Sequence, residues 1–330
     1  MTQGELDMRM KKGMIVLLAL IIAGCAGAGN TPEPEATPIA ESPTTSPTGT
    51  ATSPASESPS ESPIASEAVE PPEAVLNTES LSPLFAFADE EGTRLMALTD
   101  GMEEPDAVKE GTLDNYRLAI GEGGRQALRI RYEKHQARSE QDNGRQAAYN
   151  FDNMEGDIYA IEEGKATPNE SYYLVTEEQF DVRALIPLKP SADLELPDDA
   201  AQKIAEAKGR AIEHGWLLAH AQDGRRIYVI EFQRQGEDML ASLVWEEDNR
   251  LLWMDYPAAY DENSTWRVDD GGEISPDMFR FLFAARGADD GIVLGVQWLG
   301  AEGENLTVLR SSGDRFEETG ISGGRYLSPI

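Results

Sequence analysis

From Leu84 to Leu309 the apolar residues come in short runs cut by polar turns, and that rhythm commits most of the chain to β-structure. Leu84-Phe-Ala-Phe-Ala88 alternates and is followed by Asp89-Glu-Glu-Gly92; Arg94-Leu-Met-Ala-Leu98 ends at Asp100-Gly101. The same pattern predicts strands over 116–120, 127–132, 147–151, 157–161, 172–175 and 180–187. Residues 133–145 are polar apart from Ala137 and read as a loop or an exposed hairpin tip.

One stretch departs from this rhythm. Asp198 or Asp199 can cap a helix whose body carries Ile204, Ala207, Ala211 and Ile212 on one face, with Gly215 as its stop. Four further strands follow, over 216–221, 226–233, 240–245 and 251–254, the first two joined by Asp223-Gly224. Tyr228, Ile230 and Phe232 share one side of their strand, while Ile227 and Val229 take the other. Such two-sided burial predicts a sheet covered on both faces. Beyond residue 264, Phe279, Phe281 and Phe283 alternate as in a strand, and the glycine-rich Gly313–Gly324 reads as a loose tail.

The N-terminal quarter is different in kind. Between Lys12 and Arg94 there is no Lys or Arg, and residues 30–75 are dominated by Pro, Ser, Thr, Ala and Glu without an aromatic. A segment like that cannot bury enough apolar surface to offset its ordering entropy. It reads as a disordered tether, roughly 40 Å across as a flexible coil and about 155 Å if fully extended.

Ahead of it, Met8-Arg-Met-Lys11-Lys12 precedes the apolar run Met14–Ile22 and then Ala23-Gly24-Cys25. A basic start, a short apolar core and small residues before a cleavage point make a secretory signal, and the run is too short for an ordinary spanning helix. Glu5 and Asp7 ahead of the basic residues suggest that synthesis starts at Met8 or Met10. Ile22-Ala23-Gly24-Cys25 resembles the lipobox of bacterial lipoproteins. The resemblance implies cleavage before Cys25, a diacylglycerol on its thiol, and a protein held on the extracytoplasmic face of the cell membrane by that anchor. Cys25 is the only cysteine, so no disulfide is available to the folded part.

The expected fold class is α+β: mainly an antiparallel β meander or sandwich, with one principal helix packed on a sheet, preceded by the tether. The expected organisation is 1–24 signal, 25–80 linker, 81–190 β-rich domain, 191–270 helix plus antiparallel sheet, and 271–330 C-terminal hairpins, possibly continuous with the preceding sheet. The helix 199–213, Tyr228-Val-Ile-Glu-Phe232 and Val244-Trp-Glu-Glu-Asp-Asn-Arg-Leu-Leu252 resemble the PepSY module of secreted bacterial proteins over residues 198–255. Trp245 stands where that family carries an acid, and Asp248-Asn249 replaces its Thr-Gly turn. The resemblance implies a binding or inhibitory module of the cell envelope without catalytic residues of its own.

With 60 Asp and Glu against 28 Lys and Arg, the net charge of −32 disfavours nucleic acid, whose phosphates need clustered cations, and direct docking on an anionic bilayer. Gly320-Ile-Ser322-Gly-Gly324 matches a nucleophile elbow, but no His, Asp or Glu follows it to complete a triad. His135, His214 and His220 lack the further ligands a zinc site needs. Asp269-Asp-Gly-Gly-Glu273 is the best calcium-like loop, and it does not fit the twelve-residue pattern. No catalytic residue, metal or cofactor is therefore expected.

Trp216, Trp245 and Trp253 fall on adjacent predicted strands and, with Glu231 and Asp255, are the candidate ligand-facing residues. The leading expectation is a lipid-anchored extracytoplasmic binding or interaction module whose partner is an envelope protein or a cell-wall polymer. The alternatives are a cell-wall polymer hydrolase using Glu231 and Asp255 as paired carboxylates, and a purely structural envelope lipoprotein.

Overall fold

The computed structural model describes residues 74–99, 112–248, 250–261, 266 and 274–327. The lipobox, the linker up to residue 73 and the Asp269–Glu273 loop lie outside these residues; the end of the expected linker, 74–80, is described and is ordered, with Leu76 bridged to Gly287 and a 3-10 turn at Thr78–Ser80.

The first six strands roll into a closed barrel. β1 (Phe85–Ala88), β2 (Arg94–Leu98), β3 (Leu118–Gly121), β4 (Gln126–Gln136), β5 (Gly156–Ile161) and β6 (Ser171–Val175) are ordered β1-β2-β5-β4-β3-β6, and β6 pairs back onto β1. Every pairing is antiparallel. Alternation sorts their side chains. Ala86, Leu95, Ala119, Ile130, Tyr159 and Leu174, one from each strand, share one buried cluster, the barrel interior. Phe85, Phe87, Met96, Ile120 and Tyr173 face the other way, where they pack against Leu282, Phe283, Val293, Leu306, Val308 and Ile321 of the second sheet.

That second sheet has nine strands. β7 (Leu188–Pro190) is followed by α1 (Asp198–Lys208), β8 (Ile212–Ala221), β9 (Arg226–Gln235), β10 (Asp238–Glu247) and β11 (Arg250–Ala259). The last four are β12 (Phe279–Arg286), β13 (Ile292–Leu299), β14 (Gly303–Ser312) and β15 (Arg315–Tyr326). The order is β12-β13-β14-β15-β11-β10-β9-β8-β7, with one parallel contact, Trp253 opposite Arg315. All nine strands send apolar side chains into one cluster, among them Leu188, Leu218, Val229, Trp245, Leu294 and Phe316. The sheet therefore curls around a core of its own. Its two ends approach at a bridge between Leu185 and Ala285, which leaves it nearly closed.

The expected α+β meander or sandwich gives way to a mostly β architecture of two rolled sheets. The two-sided apolar strands that suggested a covered flat sheet instead face a lumen on one side and a cover on the other. Over β9, β10 and β11 the cover is α1, which buries only Ala200 and Ile204 against Tyr228, Ile230, Phe232, Val244 and Leu251. Over β12–β15 it is the six-stranded barrel.

Three local readings change with it. Gly209, not Gly215, ends the helix: it sits at φ +65° and donates to the Ala205 carbonyl at 2.9 Å, so Ile212 already belongs to β8. Residues Ala148–Asn153 form a 3-10 turn, and 180–187 hold a 3-10 turn at Val182–Ala184 rather than a strand. The glycine-rich C-terminal segment is no loose tail but β15, hydrogen-bonded between β14 and β11. A Cβ on Gly323 would stand 2.7 Å from the Phe85 ring, so the glycine there lets the two sheets approach.

Within 81–190 the barrel accounts for β1–β6, and β7 joins the second sheet. Residues 191–270 and 271–330 contribute to that one sheet together. The PepSY-like stretch 198–255 forms α1 and β8–β11, in the middle of it.

Candidate functional site

The near-closure leaves a seam. β7 and β12 are the end strands of the nine-stranded sheet, and around their meeting point the chain is tied by the Leu185–Ala285 bridge and by the Ile186 N–H, which donates to the Ala284 carbonyl at 2.8 Å. On the N-terminal side of Ala284 the two strands part. Two features keep β7 short of β12: it is only three residues long, and its last residue is Pro190, which has no N–H to offer.

The gap opens into a cleft of about 510 Å³. Leu188, Leu218, Phe279, Phe281 and Leu282 supply much of its lining, with Leu194 exposed on its wall. The barrel closes one side through the Glu122–Gly124 turn, which approaches β7 so closely that a Cβ on Gly123, at φ +72°, would lie 2.8 Å from the Leu188 carbonyl oxygen. A volume of this size with mostly apolar walls and a few polar groups is the usual form of a ligand pocket.

The polar groups around the cleft are already engaged with one another. Arg280 pairs with Glu170 at 2.7 Å, and Arg125 with Glu122 at 3.3 Å. The Thr167 hydroxyl donates to Glu122, and that of Ser191 to the Asp193 carbonyl. Beside Thr167, burial pushes the Tyr172 phenol up to about 12 despite the hydrogen bond from the Thr167 N–H at 2.8 Å.

Two lining residues, Ser171 and Gln297, reach past the cleft to a buried carboxylate. Both donate to Glu304, and Arg325 Nε donates to the same carboxylate at 2.7 Å. The Arg325 and Glu304 side chains are 1% and 0% exposed. Arg325 also donates to the Asn169 carbonyl at 2.8 Å, so this cluster fastens the barrel to the second sheet beside the cleft.

Among the described residues no histidine or cysteine lines the cleft; the Ser171 hydroxyl donates to the buried Glu304 carboxylate and that of Ser191 to the Asp193 backbone carbonyl. Among the described residues no three His, Cys, Asp or Glu side chains gather to hold a metal ion.

The residues singled out from the sequence lie elsewhere. Trp245 is fully buried in the lumen of the second sheet, and its indole N–H has no hydrogen-bond partner within the described residues. Trp216 packs against the lumen cluster and stacks on His214, with ring centres 5.8 Å apart. Trp253 packs on the helix side, under Lys208 at 4.3 Å. The three do not form a common platform. Glu231 pairs with His214, Oε2 to Nδ1, at 3.0 Å. Asp255 accepts from Lys208 at 2.7 Å and from Ser242 at 2.6 Å. In register, Glu231 is opposite Ala241 and Asp255 is opposite the next residue, Ser242. Successive strand residues point to opposite faces, so the two carboxylates are separated by the sheet. His135 pairs with Asp157 on the barrel and His220 is exposed on β8, both apart from His214 in sequence and strand position.

Phe279 and Phe281 announce themselves in the sequence only as strand alternation. Ser171, Gln297, Glu304 and Arg325 carry no local signal at all, because their meeting depends on pairings between distant strands. No family model, no curated protein and no solved structure matches this chain.

Proposed function

We propose that this chain is a lipid-anchored extracytoplasmic binding module that takes an apolar ligand in the cleft between β7 and β12. The observation that carries the reading is the seam itself: an open volume of about 510 Å³, apolar in its walls, at the one place where a nearly closed sheet fails to close. Burying apolar surface there would contribute about 25 cal/mol per Å². The ion pairs at the mouth would orient the ligand's polar end.

The anchor rests on Ile22-Ala23-Gly24-Cys25, and the Pro/Ser/Thr/Glu segment behind it would hold the cleft off the bilayer. Among the described residues no helix is long and apolar enough to cross a membrane. Replacing Cys25 by Ser should leave an unprocessed or released protein, and mass analysis of the native N-terminus should show a diacylglycerol thioether.

The ligand reading is tested by titrating Nile red, an uncharged apolar dye, into the full chain carrying Cys25→Ser. Saturable binding should weaken at least about tenfold when Leu194→Glu puts a charge on the exposed cleft wall. Identical titrations with and without Leu194→Glu would overturn it.

A further inference from the structure

We infer that the cleft's ligand is an extended polypeptide, which lies in the seam as an added strand on the open edge of β12; this rests on the binding reading above. β12 is hydrogen-bonded to β13 along one edge, and in the sheet order no described strand stands on its other edge. That second edge is already used by main chain at two points. Leu76 N–H donates to the Arg286 carbonyl at 2.8 Å, in a parallel bridge opposite Gly287. Ile186 N–H donates to the Ala284 carbonyl, also at 2.8 Å. Each is a segment from outside the sheet. From Phe279 to Leu282, about 13 Å of strand, no described segment continues that line, and these four residues border the cleft; at Phe283 the Gly124 turn of the barrel packs against the strand.

The chemistry of an open edge selects its occupant. A strand edge presents backbone donors and acceptors at fixed spacing, and only another backbone meets them in series. The walls then ask for apolar side chains at every second position of the incoming strand: Leu188 and Leu218 stand on the β7 side, and Phe279 and Phe281 on the β12 side.

Charge points the same way. At the mouth, Glu122, Glu170 and Asp277 face only Arg125 and Arg280, and both arginines are paired. The chain as a whole carries −32. A peptide with an alternating apolar centre and lysine or arginine beyond it is the complementary partner, its approach steered by the field of the whole protein.

The test selects random linear peptides of about nine residues on the full chain carrying Cys25→Ser, with counter-selection on the Leu194→Glu and Phe281→Glu variants. The expected binders carry apolar residues at alternate positions. Methylating the backbone nitrogens of one alternate set should weaken binding at least about tenfold, while methylating the other set should leave it within about twofold. Bound peptide should slow amide exchange within 279–282. The inference is overturned if no selected peptide separates the parent chain from both variants, if neither alternate set of N-methyl groups matters, or if sedimentation shows the edge filled by a second copy of this chain. Should Nile red respond to Leu194→Glu while every peptide fails, the binding reading stands and the strand reading falls; should both fail, both fall.

Discussion

Arg325 and Glu304 face each other across β15 and β14 as an ion pair with a 2.7 Å contact and almost no solvent exposure on either side chain. The pair is supported from the barrel by Ser171 and Asn169 and from β13 by Gln297. A buried charge whose partner is removed keeps its desolvation penalty and loses its compensation. Arg325→Ala should therefore cost about 3–5 kcal/mol in urea unfolding, whereas Arg325→Met with Glu304→Leu should recover most of that loss. Equal stability of the single and double variants would show that the pair does not lock the two sheets.

Gly323 supplies a steric test of the same interface. A Cβ there would lie 2.7 Å from a carbon of the Phe85 ring, closer than real contacts allow. Gly323→Val should destabilise by about 1–3 kcal/mol through overpacking. Phe85→Leu, which costs stability alone, should cost less in the Gly323→Val background. Additive losses in the four-member cycle would contradict the contact.

Gly209 separates two descriptions of α1. Were it inside a continuing helix, alanine would stabilise by about 1 kcal/mol. It instead adopts φ +65° as the residue that ends the helix. Gly209→Ala should thus destabilise by about 1–2 kcal/mol, and Gly209→Asn should be milder. Thermal unfolding followed by circular dichroism reads the sign directly.

Asp89 links stability to pH at the β1–β2 turn. Burial would raise its carboxyl, but hydrogen bonds from the Thr93 N–H at 2.7 Å, Arg94 Nε at 2.9 Å, the Arg94 N–H and the Thr93 hydroxyl outweigh it and hold the group below the usual range. A lowered folded-state value contributes stability that is complete above the unfolded value of about 3.9 and fades as pH falls through the folded one. Asp89→Asn should cost about 2 kcal/mol near neutral pH. The gap between variant and parent should narrow as pH falls below about 4 and close once it has fallen through the lower folded value. A gap independent of pH would contradict the assignment.

Strand content is legible because alternation is local. Phe279, Phe281 and Phe283, or Tyr228, Ile230 and Phe232, mark strands within a few residues of themselves. Closure is not legible. The bonds that roll the sheets join Phe85 to Tyr173 and Leu185 to Ala285, and no spacing in the chain encodes them. The glycines of β15 mislead for a related reason: Gly323 looks like slack until Phe85 is placed against it. The tryptophans show the same limit. Trp216, Trp245 and Trp253 sit on β8, β10 and β11, yet lumen and helix cover divide them. Face and cover, which only the rolled sheet defines, decide which aromatic meets a ligand.

The central claim is that the seam between β7 and β12 is an open binding cleft, and the Nile red titration of the full chain carrying Cys25→Ser tests it most directly. A single saturable site should appear whose affinity falls at least about tenfold in Leu194→Glu, with the thermal unfolding midpoint unchanged. Superimposable titrations of the two proteins would contradict it.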